Sequence, residues 1–459
     1  ILKDGVPSDL IFQGEFANLN GNVSHIVINR PVSIKGDKAV LNNMTMQFID
    51  GADGSVVDKL TFINYIASYA LIDLENVTEV VVSNNDFSSY GNSSRCVLLN
   101  NATNCEVLNN IMFMNSTAYN SRAVLVGGNS AFNKISNNNI KVADFNGIDI
   151  NPYVGGGHDN LVFNNTITSI ADVVSSWNYA IQLGGPNNTA MNNTIYHVFM
   201  GIFSATNGNE SVIVGNNISD LTGSFSAGAG GNAGGCAISA GIKNIVENNT
   251  ITDYDLINTG INTGVNCTVS GNTIISNATN SGINVNSGSV VLNNVINSNY
   301  TNSQLINSNY QNVIIANNTV TSSNGSAIKV KSSASGVSVV EGNVIVITEG
   351  SSPAIETTCS NIEICGNDIT VASGVGISST KDNNIMKDNN ISTGAQYAIT
   401  LGSGSGNVVT GNYLMAGSTK GDSSVSGTGV NTIENNLPAI GIVTNDTFFD
   451  FFDENGILK

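Results

Sequence analysis

One asparagine returns fifteen times through this chain, at Asn85, Asn110, Asn138, Asn165, Asn193, Asn216, Asn249, Asn272, Asn294, Asn318, Asn343, Asn367, Asn389, Asn412 and Asn435. The series covers 350 residues in fourteen intervals, a mean spacing of 25. Asn or Gly mostly precedes it, and an apolar residue follows two positions later, as in Asn164-Asn165-Thr166-Ile167 and Gly271-Asn272-Thr273-Ile274. A fixed period of roughly 20–50 residues means stacked repeats, in which each unit buries its apolar face only against its neighbours.

The stretch 179–203 shows what one period holds. Ala180-Ile181-Gln182-Leu183 alternates, a Gly-Gly-Pro-Asn turn follows, and two more short segments flank the Asn pair. Three short strands separated by turn residues fill the period. Apolar pairs recur in the first strand as Ile72/Leu74, Val97/Leu99, Ile148/Ile150, Ile181/Leu183, Ile283/Val285, Ile328/Val330 and Ile399/Leu401. Period-2 alternation turns each pair to one face. No long 3.6-residue apolar period with caps occurs, so helices are few. The asparagine suits such a stack in two ways. Tight turns need a residue that tolerates positive φ, and stacked Asn amides hydrogen-bond from rung to rung.

These features predict an all-β fold: a single right-handed parallel β-helix of about 16 coils of ~25 residues, ~75–80 Å long at the sheet spacing. A leucine-rich repeat is excluded because Leu is sparse and its spacing is missing. Residues 1–40 read as an N-terminal β cap or connector, with a strand at Asp9–Phe16 and two strands around Pro31. Residues 41–438 form the β-helix. Residues 439–459, with Phe448, Phe449, Phe451 and Phe452, read as an aromatic cap or connector. Ile-Leu-Lys both opens and closes the chain, which suggests one unit of a tandem array.

Charge narrows the partners. The net charge is −18, and Arg30, Arg95 and Arg122 are the only arginines. Nucleic acid and anionic membranes, which need basic patches, are poor fits. No stretch is long and apolar enough to insert in a membrane. Polar cover comes from Asn, Ser and Thr; 74 residues are Asn, and nineteen begin an N-x-(S/T) sequon. Those sequons fit an extracellular, glycosylated protein, although sequons in the ladder turns, such as Asn164 and Asn248, read as packed. The six cysteines fall into local pairs (Cys96/Cys105, Cys236/Cys267, Cys359/Cys365), open to either disulfides or buried thiols. No metal signature and no cofactor motif is present.

Three blocks carry a resemblance: the opening DLIFQGEF…HIVINRPVSIKGDKAVLNN, the (N/G)-N-(T/N/D)-I repeats and the closing TNDTFFDFFDENG. The chain resembles the adhesin-like surface proteins of methanogenic archaea, which carry parallel β-helix repeats. The repeat alone is shared with pectate-lyase-like enzymes and viral tailspikes. The resemblance implies an extracellular, cell-surface structural or adhesive module. Its partners would be neighbouring copies in series, surface glycans or other cells. It supplies no catalytic motif.

The alternative is a polysaccharide-binding or polysaccharide-degrading β-helix. Glycoside hydrolysis asks for two carboxylates roughly 5–10 Å apart. The outward position of the first strand runs Asp73, Leu98, Leu125, Asp149, Gln182, Phe203, Ser239, Asn262 and Asn284. It offers no adjacent carboxylates, so no catalytic residue is assigned and the chain reads as a non-enzyme. The best remaining cluster is Asp144, Asp149, His158, Asp159 and Asp172, a His with several Asp able to bind metal or do acid–base work. Trp177, Tyr179 and Phe203 are candidates for stacking on a sugar face.

Overall fold

The computed structural model describes residues 9–17, 24–65, 70–116, 121–143, 146–151, 156–170, 179–204, 207–222, 235–252, 259–276, 281–299, 303–331 and 336–438. The chain forms two compact units, Ile1–Tyr300 with Ile306–Ser308, and Thr301–Leu305 with Asn309–Lys459. Both are parallel β-solenoids. The 3-10 turn Gly421–Ser424 is the one helical element among the described residues. No helix among them is long and apolar enough to cross a membrane.

In the first unit a coil contributes three strands, as in Tyr179–Leu183, Thr189–Met191 and Thr194–Tyr196. Each pairs in parallel with its counterpart one coil away; Ile148, Ile181 and Ile202 succeed one another in the first-strand sheet. Ile72, Leu74, Val97, Leu99, Ile148, Ile150, Ile181, Leu183, Ile283 and Val285 are fully buried. The inward alternation therefore holds as the sequence predicts. The expected boundary at residues 40/41 falls inside the strand Ser33–Asn42, which pairs with Asp9–Ala17 on one side and with Val56–Asp58 and Thr61–Asn64 on the other.

The asparagine motif divides its two roles between two residues. The residue before the ladder asparagine takes the left-handed conformation: Asn84, Asn109, Asn137, Asn164, Asn192, Gly215, Asn248 and Gly271 have φ between 54° and 66°. This is why Asn or Gly precedes each rung, since both reach positive φ at low cost. The ladder asparagine itself spends its amide on the stack. Asn165 Oδ1 accepts from the backbone N–H of Asn138 at 3.0 Å and from Asn138 Nδ2 at 2.9 Å. Asn165 Nδ2 donates to Ile135 O, to Phe163 O and to Asn193 Oδ1. The same pattern runs from Asn85 through Asn272 to Asn294. Asn164 and Asn248, expected to be packed, are exposed on the turns because the inward role belongs to their neighbours.

Five residues earlier in the coil lies a second ladder that the period did not reveal. Asn133 Nδ2 donates to Asn160 Oδ1, and Asn160 Nδ2 to Asn188 Oδ1. In other coils the position is held by Cys105, Ser211, Cys267 or Ser289, so it carries no single-letter signature.

The second unit repeats the design. Its ladder runs Asn318, Asn343, Asn367, Asn389, Asn412. Its last rung is Asn436 and not Asn435: Asn412 Nδ2 donates to Asn436 Oδ1 at 2.8 Å, while Asn435 is the exposed left-handed residue with φ 60°. Asn436 Nδ2 and N–H both donate to Asp422 Oδ1, so a carboxylate from the 3-10 turn takes the place of a further rung. The short antiparallel pairing of Tyr413–Ala416 with Thr419–Lys420 departs from the parallel pattern there.

All six cysteines are thiols, and every one except Cys365 is buried, so none of the local pairs is a disulfide. Burial pushes the thiols up, Cys105 to about 11 and Cys236 to about 12. The aromatic segment 439–459 and the terminal Ile-Leu-Lys repeats lie outside the described residues.

Candidate functional site

The first-strand sheet of the first unit departs from strict alternation at one position per coil. Cys96 and Val97 are both fully buried, as are Ala123 and Val124, and Ala180 and Ile181. The residue before each buried pair is thereby returned to the outer face, beside the outward residue that follows it. The outer face then carries two rows. One runs Gln47, Asp73, Leu98, Leu125, Asp149, Gln182, Phe203 in register. The other runs Ala70, Arg95, Arg122, Asn146.

Two of the three arginines thus stand on adjacent coils between two aspartates. Arg122 Nε donates to Asp149 Oδ2 at 2.7 Å, with side-chain exposures of 10% and 0%. Burial raises the Asp149 carboxyl, and the Arg122 charge and its hydrogen bond oppose this. Asp73 is pushed up to about 6 by burial and by the negative charge of Glu75, while Arg95 and the Gln47 amide pull it back. Gln47 Nε2 donates to Glu75 Oε2 at 3.0 Å. Arg95 is lowered by burial and by the like charge of Arg122, and raised by Asp73 and Asp149.

This cluster is incompletely satisfied. Asp73 Oδ1, Arg95 Nε, Arg122 Nη1 and Asp149 Oδ1 are buried and have no hydrogen-bond partner among the described residues. Buried charged atoms are normally paired, because desolvating them alone is costly. Lower in the same sheet the polar groups pair with one another, Asn284 Nδ2 donating to Asn262 Oδ1 at 2.8 Å. On the first strands of the second unit Lys329 and Glu356 make an ion pair at 2.8 Å.

The structure breaks up the sequence-derived cluster. Asp149 belongs to the first-strand sheet. His158 and Asp159 sit at the corner leading to the second strands, where His158 bridges to Ala131. His158 Nδ1 and Asp159 Oδ2 lie 2.7 Å apart, and Phe132 meets the His158 ring edge-on. Tyr179 is 5% exposed and stacks on Phe203 with ring centroids 4.7 Å apart. Buried with Phe199 and Met200, Tyr179 has no free face for a ligand, whereas Phe203 stays partly open. Asp144, Asp172 and Trp177 lie outside the described residues.

One expectation is corrected. Asp73 and Glu75 are both on the outer side of a single strand, two residues apart, about 6.6 Å between Cα atoms. An outward carboxylate pair therefore exists, placed along a strand and not across coils. Arg95 and Arg122 were missed because strict period-2 alternation from Leu98 and Leu125 turns them inward, whereas Glu75 obeys the alternation from Asp73 and was missed because one outward position was read per strand. The available signal was the recurrence of Arg at equivalent positions of neighbouring periods in a chain with three arginines. No group of His, Cys, Asp and Glu able to hold a metal ion occurs among the described residues.

No protein-family model matches the chain, and no curated protein sequence matches it. Solved structures similar to it include a mutant tailspike protein of E. coli bacteriophage HK620 in complex with a hexasaccharide, at 12% identity and a TM-score of 0.42, covering 92% of this chain and 71% of that one. The HK620 tailspike protein in complex with a pentasaccharide is similar at 11% identity and a TM-score of 0.39, covering 92% and 71%.

Proposed function

We propose that this chain is a polysaccharide-binding β-helix module that works outside the cell, holding a glycan along the outer face of the first-strand sheet in the first unit. The observation that supports it is the run from Gln47 to Phe203. Four buried charged atoms without partners sit there, followed by a partly open aromatic ring. Sugars need that combination, an apolar ring for the sugar face and fixed polar atoms for the hydroxyls. The acidic surface disfavours nucleic acid, and the nineteen sequons fit an extracellular site of action. An adhesive role, with surface glycans as the partner, follows from this reading and accords with the resemblance to archaeal adhesin-like proteins. A panel of immobilised neutral and acidic polysaccharides tests it. The expected result is saturable binding that Phe203→Ala and Asp73→Asn weaken. Failure of every glycan to bind would remove the reading.

A second reading has its own support. A carboxylate raised to about 6 beside a second carboxylate on the same strand suits glycosidic hydrolysis. Asp73 would protonate the leaving oxygen, and Glu75 would take a proton from the attacking water. Release of reducing ends near pH 5–6, lost in Asp73→Asn, would establish that reading. Binding without such release would leave the chain a binding module.

A further inference from the structure

We infer that Asn192, Asn248, Asn266 and Asn317 are acceptors for N-linked glycans, carried on corners of the solenoids. The inference goes beyond the glycan-binding reading and does not rest on it: it concerns sugar that the chain bears, not sugar that it holds.

All four open an N-x-Thr sequon. Such a sequon is an acceptor where its Asn and its hydroxyl residue lie on the surface. In each, the middle residue is turned inward; Asn193, Asn249, Cys267 and Asn318 are at most 1% exposed. The Asn is exposed and the Thr at least partly so. The turn geometry causes this. Each Asn takes a left-handed φ of 55–58° at the corner, and its Thr begins the next strand on the outer side, in Thr194–Tyr196, Thr250–Thr252, Thr268–Ser270 and Thr319–Ser322.

Exposure alone does not single these four out, but two further features do. One coil on, each is met by a glycine (Gly215, Gly271, Gly288 and Gly342), where an added Cβ would collide with the Asn Oδ1. The carboxamide therefore lies over bare backbone, with no side chain beyond it. Nor does any of the four carboxamides hydrogen-bond to another described residue. Other exposed sequons fail on one count or the other. Asn164 Nδ2 donates to Asn137 Oδ1, Asn101 Nδ2 to Asn76 Oδ1, and Asn390 Nδ2 to Asp368 Oδ1. Asn187 has Glu210 one coil on, and Asn217 has Thr250. Asn192 and Asn248 stand two coils apart, ~10 Å at the sheet spacing, with Gly215 between them, so their sugars clear each other. Only 11% of the residues are charged, and bulky solubilising sugar supplies the hydration that such a surface lacks. The donor is an oligosaccharide joined through its anomeric carbon to a lipid pyrophosphate. Nδ2 bonds to that carbon, the carbon–oxygen bond to the pyrophosphate breaks, the lipid pyrophosphate leaves, and the amide nitrogen gives up one proton.

The test is to secrete the full chain from a host that N-glycosylates and to map the folded protein by mass spectrometry, after peptide N-glycosidase treatment in heavy-oxygen water. Asn192, Asn248, Asn266 and Asn317 should be occupied in most molecules, and Asn101, Asn164, Asn187, Asn217 and Asn390 in few. Thr194→Val keeps an outward β-branched residue in its strand and should remove the sugar at Asn192 alone. Gly215→Asn keeps a residue that neighbouring coils hold in the left-handed conformation. It should lower occupancy at Asn192 and leave Asn248 unchanged. Circular dichroism of each variant reports folding. If Gly215→Asn does not fold, the site map of the unaltered chain still decides. Four empty sites would overturn the assignment. Even occupancy across all of these sequons would overturn it too, since the sequon and not the turn would then select. Either result leaves the glycan-binding reading standing, and failure to bind any polysaccharide with the four sites occupied would end that reading alone.

Discussion

Replacing Asn165 by Ala tests the division of labour within the repeat motif. The substitution removes five hydrogen bonds at once. Two are accepted by Oδ1 from Asn138, and three are donated by Nδ2 to Ile135 O, Phe163 O and Asn193 Oδ1. The backbone N–H of Asn138 has its acceptor in Asn165 Oδ1, and Asn138 is 1% exposed, so water does not replace it. An orphaned buried donor costs about 1–3 kcal/mol. With the lost Nδ2 bonds, each worth about 1 kcal/mol but partly regained by solvent in the unfolded chain, the total is about 3 kcal/mol. The adjacent residue provides the control. Asn164 is exposed with φ 54°, and its Nδ2 donates to Asn137 Oδ1 at 2.6 Å, so Asn164→Ala loses the left-handed preference, about 1 kcal/mol, and one solvent-exposed hydrogen bond worth ~0.5 kcal/mol, and Asn164→Gly only the latter. Solenoids need not unfold in one step, so native-state hydrogen exchange is the right assay, read at the Asn138 amide and at coils further along. Asn165→Ala should strip protection from Asn138 and its neighbours, whereas Asn164→Gly should leave it. The ladder would not be a stabilising element if the two alanine variants differed by under ~0.5 kcal/mol, or if the Asn138 amide stayed protected.

Other expectations follow from the same structure. Asp73 is raised from 3.8 to about 6, so the folded state holds a proton that the unfolded chain releases. Its stabilising contribution is complete below the unfolded value and is lost as pH rises through about 6. Asp73→Asn should therefore be more stable than the parent at pH 7–8, with the gap closing on acidification; parallel melting curves from pH 4 to 8 would contradict the burial of that carboxyl. Thiol reagents at neutral pH should spare the five buried cysteines in the native protein and modify all six on unfolding. Rapid native labelling of Cys105, raised to about 11, would count against its burial. Gly147→Ala should destabilise by about 1–3 kcal/mol, because its new Cβ would lie 2.8 Å from both Ala180 O and Ile167 Cγ2. A neutral outcome in chemical denaturation would mean that the rungs there yield more easily than their spacing implies.

The interior of this protein was open to reading from the sequence, and its outer face was not, for one physical reason. Inward residues obey a rule that every coil must satisfy. Ile72 and Leu74, or Ile328 and Val330, are apolar because they meet another apolar pair about 4.8 Å away in each direction. The ladder asparagine obeys a similar rule, which is why it recurs through the chain, and the residue read from the sequence is off by one only at the last rung, Asn436, where Asp422 replaces the next rung. The second ladder is harder to see because Asn, Ser and Cys all fit a position where few hydrogen bonds must be made. Outward residues obey no shared rule, so what is local to one coil can be special. The two adjacent buried residues at the start of each first strand bring Arg95 and Arg122 out beside Asp73 and Asp149. A regular stack tolerates a partnerless charge there because the cost falls on one coil while many others hold the fold. Buried charged atoms without partners at Asp73, Arg95, Arg122 and Asp149, set against the Asn284–Asn262 hydrogen bond, are therefore the local feature on which the proposed binding face rests.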